Sequence, residues 1–275
     1  MKKLTFALSL LFLALTTALP SFATDKVKES TYDRIMRTGE LRCGYWNWAP
    51  LFTVDSNTNE YGGIFHDFMT EFERVSGIKV KWPHEISYSN TISDLETGKV
   101  DAICAGVWPS SMRAKRIIFS QPLFYIPVEA YAKADDSRFD NNLKAINSPD
   151  VMVAVMDGLR AEEIKRTDFP EAKVVSVPQI AGTASELLVL VQTGKADVTF
   201  TDAINGSIFI EENNGEVKAI QSDIPLRLMP NTIGLNDDDA RLKMFFDDVI
   251  NELQFSGTLE KILKKARLFL KKVTN

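Results

Sequence analysis

Apolar positions along this chain follow two alternating rhythms. Short β-branched runs bounded by Gly, Pro or Asp predict strands at residues 40–46, 78–82, 100–105, 151–155, 173–177 and 197–201. Between them, IFHDFMTEFERVSG and TASELLVLVQTG read as helices. The second opens with Thr183 and Glu186 at capping-box spacing and closes on Gly194. A third helix is predicted over 239–254, where Leu242, Phe245, Phe246, Val249, Ile250 and Leu253 share one face. Strand-helix alternation of this kind predicts an α/β protein with mostly parallel sheets.

One echo organises the pattern. Thr97-Gly98-Lys99-Val100-Asp101 heads the strand ending in Cys104, and Thr193-Gly194-Lys195-Ala196-Asp197 heads the strand ending in Thr201. Each tag follows a helix and stands before the third strand of a strand-helix-strand-helix-strand series. Two lobes of like topology follow. In open parallel sheets, ligands bind beyond the carboxyl ends of the strands. Gly106 and Asp202 stand at the same distance past the two tag aspartates. The stretch Gly106–Arg113, with Trp108 and Ser110, is therefore expected to border the gap between the lobes, facing Asp202.

Composition narrows the function. The chain carries 32 Lys and Arg against 37 Asp and Glu, a formal net charge of −5, which argues against nucleic acid as a partner. It begins with two lysines, an apolar run from Leu4 to about Leu19, and Ser21-Phe22-Ala23. That is the pattern of a secretory signal peptide over residues 1–23. Cleavage would remove Lys2 and Lys3 and make the chain more acidic still. Export permits a disulfide between Cys43 and Cys104, the two cysteines. Both are placed mid-strand, on neighbouring strands, and a bridge and two buried thiols remain equally open. Two cysteines without clustered histidines make no metal site. His66 and His84 read as ordinary surface or boundary residues. No cofactor is indicated.

The candidate chemistry is charge recognition. A guanidinium grips a carboxylate through two parallel hydrogen bonds, and a carboxylate receives an ammonium group. Arg113 facing Asp202 suits a zwitterion, with Trp46, Trp48, Phe52 and Trp108 as apolar walls. Each residue also has a plainer role. Arg113 could be a solvated helix-start arginine, Asp202 a helix N-cap, and Trp108 a lid over the sheet edge. Thr183 and Ser185 could simply cap their helix, and Tyr125 could line either a hinge or the pocket. Lys115 and Arg116 are expected to be solvated. The run KILKKARLFLKK places Ile262, Leu263, Ala266 and Phe269 at helical spacing, opposite lysines, as in a core-packed terminal helix.

Five groups of residues carry a resemblance. They are Gly39-Glu40-Leu41-Arg42 with Pro50; Gly63-Ile64-Phe65-His66-Asp67; Arg113 ahead of Phe119-Ser120-Gln121-Pro122; Gly194-Lys195-Ala196-Asp197 with Thr201-Asp202; and Ser256-Gly257-Thr258. In this order they resemble periplasmic solute-binding proteins of the polar amino-acid ABC-importer branch, bacterial extracellular solute-binding protein family 3. The resemblance covers essentially the whole chain after residue 23. It implies an α/β fold of two Rossmann-like lobes joined by a double hinge, the type II periplasmic binding protein arrangement. Residues 24–126 and 229–275 would form lobe 1, and residues 127–228 lobe 2. It also implies a monomer in the periplasm that takes an amino-acid-like carboxylate and hands it to an inner-membrane ABC permease, without catalysis. Arg113 would clamp the carboxylate, Asp202 the ammonium group, and Trp48 would cover the ligand.

The departures are local. Trp108 stands where the family places Ser or Thr, and Gly158-Leu159-Arg160 stands where it places Gly followed by Ser or Thr. Two hydroxyls are thus missing, and Arg160 is a second cation that could bind a second acid group or lie on the surface. An alternative on the same frame is a cyclohexadienyl dehydratase, which resembles this chain at Asp33-Arg34-Ile35 and at Thr201-Asp202-Ala203-Ile204. That offshoot carries Glu where this chain has Asn205, which is no general acid. A ligand-sensing module is the third reading.

Overall fold

A computed structural model describes residues 29–178, 184–220 and 225–273, with only the backbone path of 184 and 266–273. The signal-peptide stretch and Thr183 lie outside the described residues. So do the side chains of Ala266 and Phe269. The chain runs α1 (Thr31–Thr38), β1 (Glu40–Tyr45), β2 (Thr53–Val54), β3 (Tyr61–Gly62), α2 (Ile64–Ser76), β4 (Lys79–Glu85), α3 (Thr91–Glu96) and β5 (Ala102–Val107). After β6 (Ile117–Phe119) comes the long β7 (Phe124–Lys133). There follow β8 (Met152–Met156), α4 (Arg160–Asp168), β9 (Lys173–Val177), α5 (Ala184–Gln192), β10 (Val198–Asp202), α6 (Ala203–Glu212) and β11 (Val217–Ala219). The chain returns through β12 (Arg227–Asn236) and ends in α7 (Ala240–Phe255) and α8 (Thr258–Val273).

The strands lie in the order β4-β1-β5-β12-β7-β10-β8-β9. The two outer sets, β4-β1-β5 and β10-β8-β9, are parallel, as the strand-helix alternation predicted. The middle departs from that expectation, because β12 and β7 run antiparallel to each other and to β5 and β10. Each crossing strand serves both halves. The first residues of β7 pair with β12, and its later residues pair with β10 and β11. In β12 the first residues pair with β7 and the later ones with β5 and β6. These two strands are the double connection between the lobes. Tyr125, on β7, is 55% exposed and faces solvent, not the pocket.

Two separate apolar cores follow. One is built on Leu41, Phe65, Phe68, Phe72, Ile103 and Phe246, the other on Val153, Ile164, Leu188, Val198 and Phe200. Each core trades residues across the gap. Trp108 packs against the second, while Ile204 and Ile208 of α6 pack with the first. Phe52, expected beside the pocket, is instead fully buried in the first core, against Tyr45, Tyr61 and Trp82. Ile262 and Leu263 of α8 pack there too, as their spacing predicted.

The sequence echo has a structural meaning. Asp101 N–H donates to the Arg42 carbonyl (2.8 Å), and the Asp101 carboxylate accepts from Arg42 N–H (2.8 Å). Asp197 and Met152 repeat the exchange at 2.8 and 2.7 Å. Each tag aspartate therefore locks the third strand of its lobe onto the first. Using Asp101 this way shifts β5 two residues past its predicted start, so that it carries Gly106 and Val107. Pro83 lies inside β4, which is tolerated because β4 is an edge strand. The cysteines form a disulfide, Cys43–Cys104, between β1 and β5, with Cα atoms 5.4 Å apart. Among the described residues, no helix is long and apolar enough to cross a membrane.

Candidate functional site

A cavity of about 310 Å³ lies between the two halves. Its first wall is the carboxyl end of β5 and the turn beyond it. Gly106 is at φ +91, and a Cβ there would sit 2.5 Å from the Phe65 ring and 3.3 Å from Trp48. The missing side chain lets both rings close over the strand end, which is a packing role as well as a lining one. Trp108 and Ser110 follow. The Ser110 hydroxyl accepts from Arg113 N–H at 3.2 Å, fixing the turn that turns Arg113 inward. Arg113 is largely buried, and its Nη1 donates to the Trp108 carbonyl at 3.1 Å. Among the described residues no carboxylate lies within ion-pair distance of it. Burial holds its pKa below the usual arginine value; Tyr88 opposes that effect and the nearby Arg160 adds to it.

The second wall is the carboxyl end of β10 and the start of α4. Asp202 is 3% exposed and caps α6. Its Oδ1 accepts from Asn205 N–H at 2.9 Å and its Oδ2 from the Asn205 amide at 2.6 Å. Burial raises its pKa against the pull of these hydrogen bonds. Capping and lining therefore coexist in one side chain. Arg160 is not a surface residue: its side chain is 16% exposed. Its Nη1 pairs with Glu163 at 2.5 Å, and its Nη2 reaches across the gap to the Pro109 carbonyl at 2.9 Å.

Aromatic rings fill the remaining walls. Trp46 packs on Tyr88 with centroids 5.1 Å apart, and Trp48 meets Trp108 edge-on at 5.7 Å. The Trp108 indole donates to Asn231 at 3.2 Å, but the buried indole N–H groups of Trp46 and Trp48 find no acceptor among the described residues. Burial and the Asp202 charge push the Tyr88 hydroxyl up to about 12, with Arg113 opposing.

Arg113, Asp202, Trp46, Trp48, Gly106, Trp108, Ser110 and Arg160 all line this one cavity. Ser185 is exposed and takes no part. Lys115 is exposed, and Arg116 pairs with Glu96 at 2.5 Å, so both are solvated as expected. Sequence reasoning missed Tyr88, Leu159, Glu163 and Asn205 as lining residues. Tyr88 was findable, because it follows β4, whose carboxyl end faces the same gap. Among the described residues, no cluster of side chains could hold a metal ion.

A cleft between two parallel-sheet halves, crossed by two strands and lined by two cations and aromatic rings, defines a two-lobed α/β protein with a pocket at its seam. The chain belongs to the bacterial extracellular solute-binding proteins, family 3, whose pattern matches residues 41–267. It has the family's fold, two Rossmann-like lobes on a double hinge. An ancestral amino-acid-binding protein, described as a precursor of cyclohexadienyl dehydratase, is 25% identical. It superposes with a TM-score of 0.71, covering 86% of this chain and 99% of that one. A binding component of an ABC transporter from Wolinella succinogenes, complexed with lysine, shares the fold at 22% identity. Its TM-score is 0.71, over 83% of this chain and 95% of its own. The membrane-bound lytic murein transglycosylase F of Citrobacter koseri is 26% identical over 263 residues, 94% of this chain and 49% of that protein. The chain thus spans about half the length of the curated relatives it matches.

Proposed function

We propose that this protein captures a small amino-acid-like carboxylate between its lobes in the periplasm and presents it to an inner-membrane ABC permease. The observation that carries this reading is Arg113: a largely buried guanidinium lining the gap, with a single backbone carbonyl as acceptor among the described residues. A desolvated cation left without a counter-charge is costly, and a ligand carboxylate would offset that cost. Residues 24–126 with 229–275 act as one lobe and 127–228 as the other. Closure is favoured by a ligand that touches both. Ser110, Gly106 and the tryptophans shape the pocket around the carboxylate, and Asp202 faces the amine end. The protein acts as a monomer. Calorimetry against the proteinogenic amino acids, with native mass spectrometry of gently purified protein, tests this reading. Binding of at least one carboxylate ligand is expected, and no binding by any of them overturns it.

A second reading is a module that senses a ligand for a larger enzyme, and the transglycosylase relatives favour it. Binding would then persist without any cognate permease. Dehydratase chemistry is disfavoured by Asn205, whose amide is committed to Asp202 and offers no proton for elimination. Phenylpyruvate appearing from prephenate would reverse that judgement.

A further inference from the structure

The cleft holds two guanidiniums, one from each half. Arg113 stands on the turn after β5, and Arg160 opens α4. They are close enough for the charge of Arg160 to depress the pKa of Arg113. Like charges are not brought together in a desolvated gap without compensation. Among the described residues that compensation is incomplete. Arg160 shares its charge with Glu163, whose side chain is 40% exposed, and its Nε is buried with no acceptor. Arg113 has one carbonyl. The Trp46 and Trp48 indoles add two further buried N–H groups without partners. The other carboxylate of the cleft, Asp202, is already engaged through both oxygens by Asn205. The cleft therefore presents two separate cationic ends, one on each wall.

We propose that the ligand carries two carboxylates on a short carbon frame, one gripped by Arg113 and the other by Arg160, so that Arg160 sets the preference for diacids. This rests on the carboxylate-binding reading above and names its ligand class. Leu159, Met156 and Trp48 supply apolar surface for the frame. An arginine or lysine ligand would bring a third cation into a cleft whose acids, Glu163 and Asp202, are already bonded to Arg160 and Asn205. Arg160 already donates to Pro109 on the opposite wall, so a carboxylate bound there sits at the seam between the lobes and favours closure.

Calorimetry with glutamate, aspartate, glutarate, succinate, glutamine, arginine and lysine tests this. At least one diacid should bind about tenfold or more tighter than glutamine, with arginine and lysine weaker still. The ratio of glutamate to glutarate reads whether Asp202 takes an ammonium group, and either order among the diacids supports the inference. Arg160→Met should bring the diacid and glutamine affinities to within about threefold, while Arg160→Lys should retain part of the preference. A thermal melt of each variant separates this from misfolding. Glutamine, arginine or lysine binding as well as the diacids would overturn the inference while leaving carboxylate binding in place. So would an undiminished diacid preference in Arg160→Met. No heat from any of the seven compounds would overturn the inference, and the full amino-acid panel then decides whether carboxylate binding itself stands.

Discussion

Replacing Arg113 by Met separates function from stability. The guanidinium is largely buried, its Nη1 bonded to the Trp108 carbonyl at 3.1 Å, with no acid within ion-pair distance among the described residues. A ligand carboxylate held by two charge-assisted hydrogen bonds gains about 1.5–3 kcal/mol from each. Removing both should cost about 3 kcal/mol or more of binding free energy, a weakening of at least about a hundredfold. The unliganded fold should respond otherwise. Losing the Trp108 bond costs about 1 kcal/mol, but the change also removes the desolvation penalty of an unpaired cation, and Met fills a similar length. Melting temperature should therefore hold or rise. Calorimetry on variant and wild type, paired with thermal melts of ligand-free protein, reads both quantities. A variant that keeps its affinity and loses several degrees of stability would mean that Arg113 is a structural arginine, and the reasoning would fail.

The other expectations concern the frame around the cleft. Asp101→Ala should destabilise by about 3 kcal/mol, the low end for a broken buried pair, because Arg34 and Arg42 are 25% and 37% exposed and can rehydrate. A denaturant titration checks it, and an unchanged midpoint would remove the locking role assigned to the repeated tag. Reducing Cys43–Cys104 frees a loop with a sequence separation of 61, worth about 4 kcal/mol in the chain-entropy model. Melts with and without reductant should differ accordingly. Burial raises the Asp202 pKa above its usual 3.8, so the stability tied to it is full below the ordinary aspartate range and fades as pH climbs through the raised value. Asp202→Asn keeps a helix cap without that titration. The melting temperature of the variant minus that of wild type should rise from acidic to neutral pH, and a fall would contradict the sign.

Much of the site was readable because position along a strand determines which gap a residue faces. The paired tags placed Gly106 and Asp202 at equivalent strand ends, and the turn beyond Gly106 brought in Trp108, Ser110 and Arg113. Phe52 misled because an aromatic residue near a strand end is equally suited to a core, and the cluster of Tyr45, Tyr61 and Trp82 claims it. Arg160 was ambiguous for a similar reason. In Arg160-Ala161-Glu162-Glu163 the charges resemble a wet helix face, yet the first residue points into the gap toward Pro109. In the sequence Asn205 reads only as an absent acid; that its amide occupies Asp202 depends on a cap geometry that spacing alone does not reveal.

Local pattern determined the outer strands, the long helices and the two-lobe repeat, because side-chain period and turn residues act over a few neighbours. Tertiary structure alone decided the antiparallel crossing of β7 and β12, the pairing of the cysteines, and the placing of Arg113 and Arg160 in one cleft. Those outcomes join residues far apart in the chain. Their energies depend on burial and on which partner arrives, and neither quantity is carried by the residues on either side.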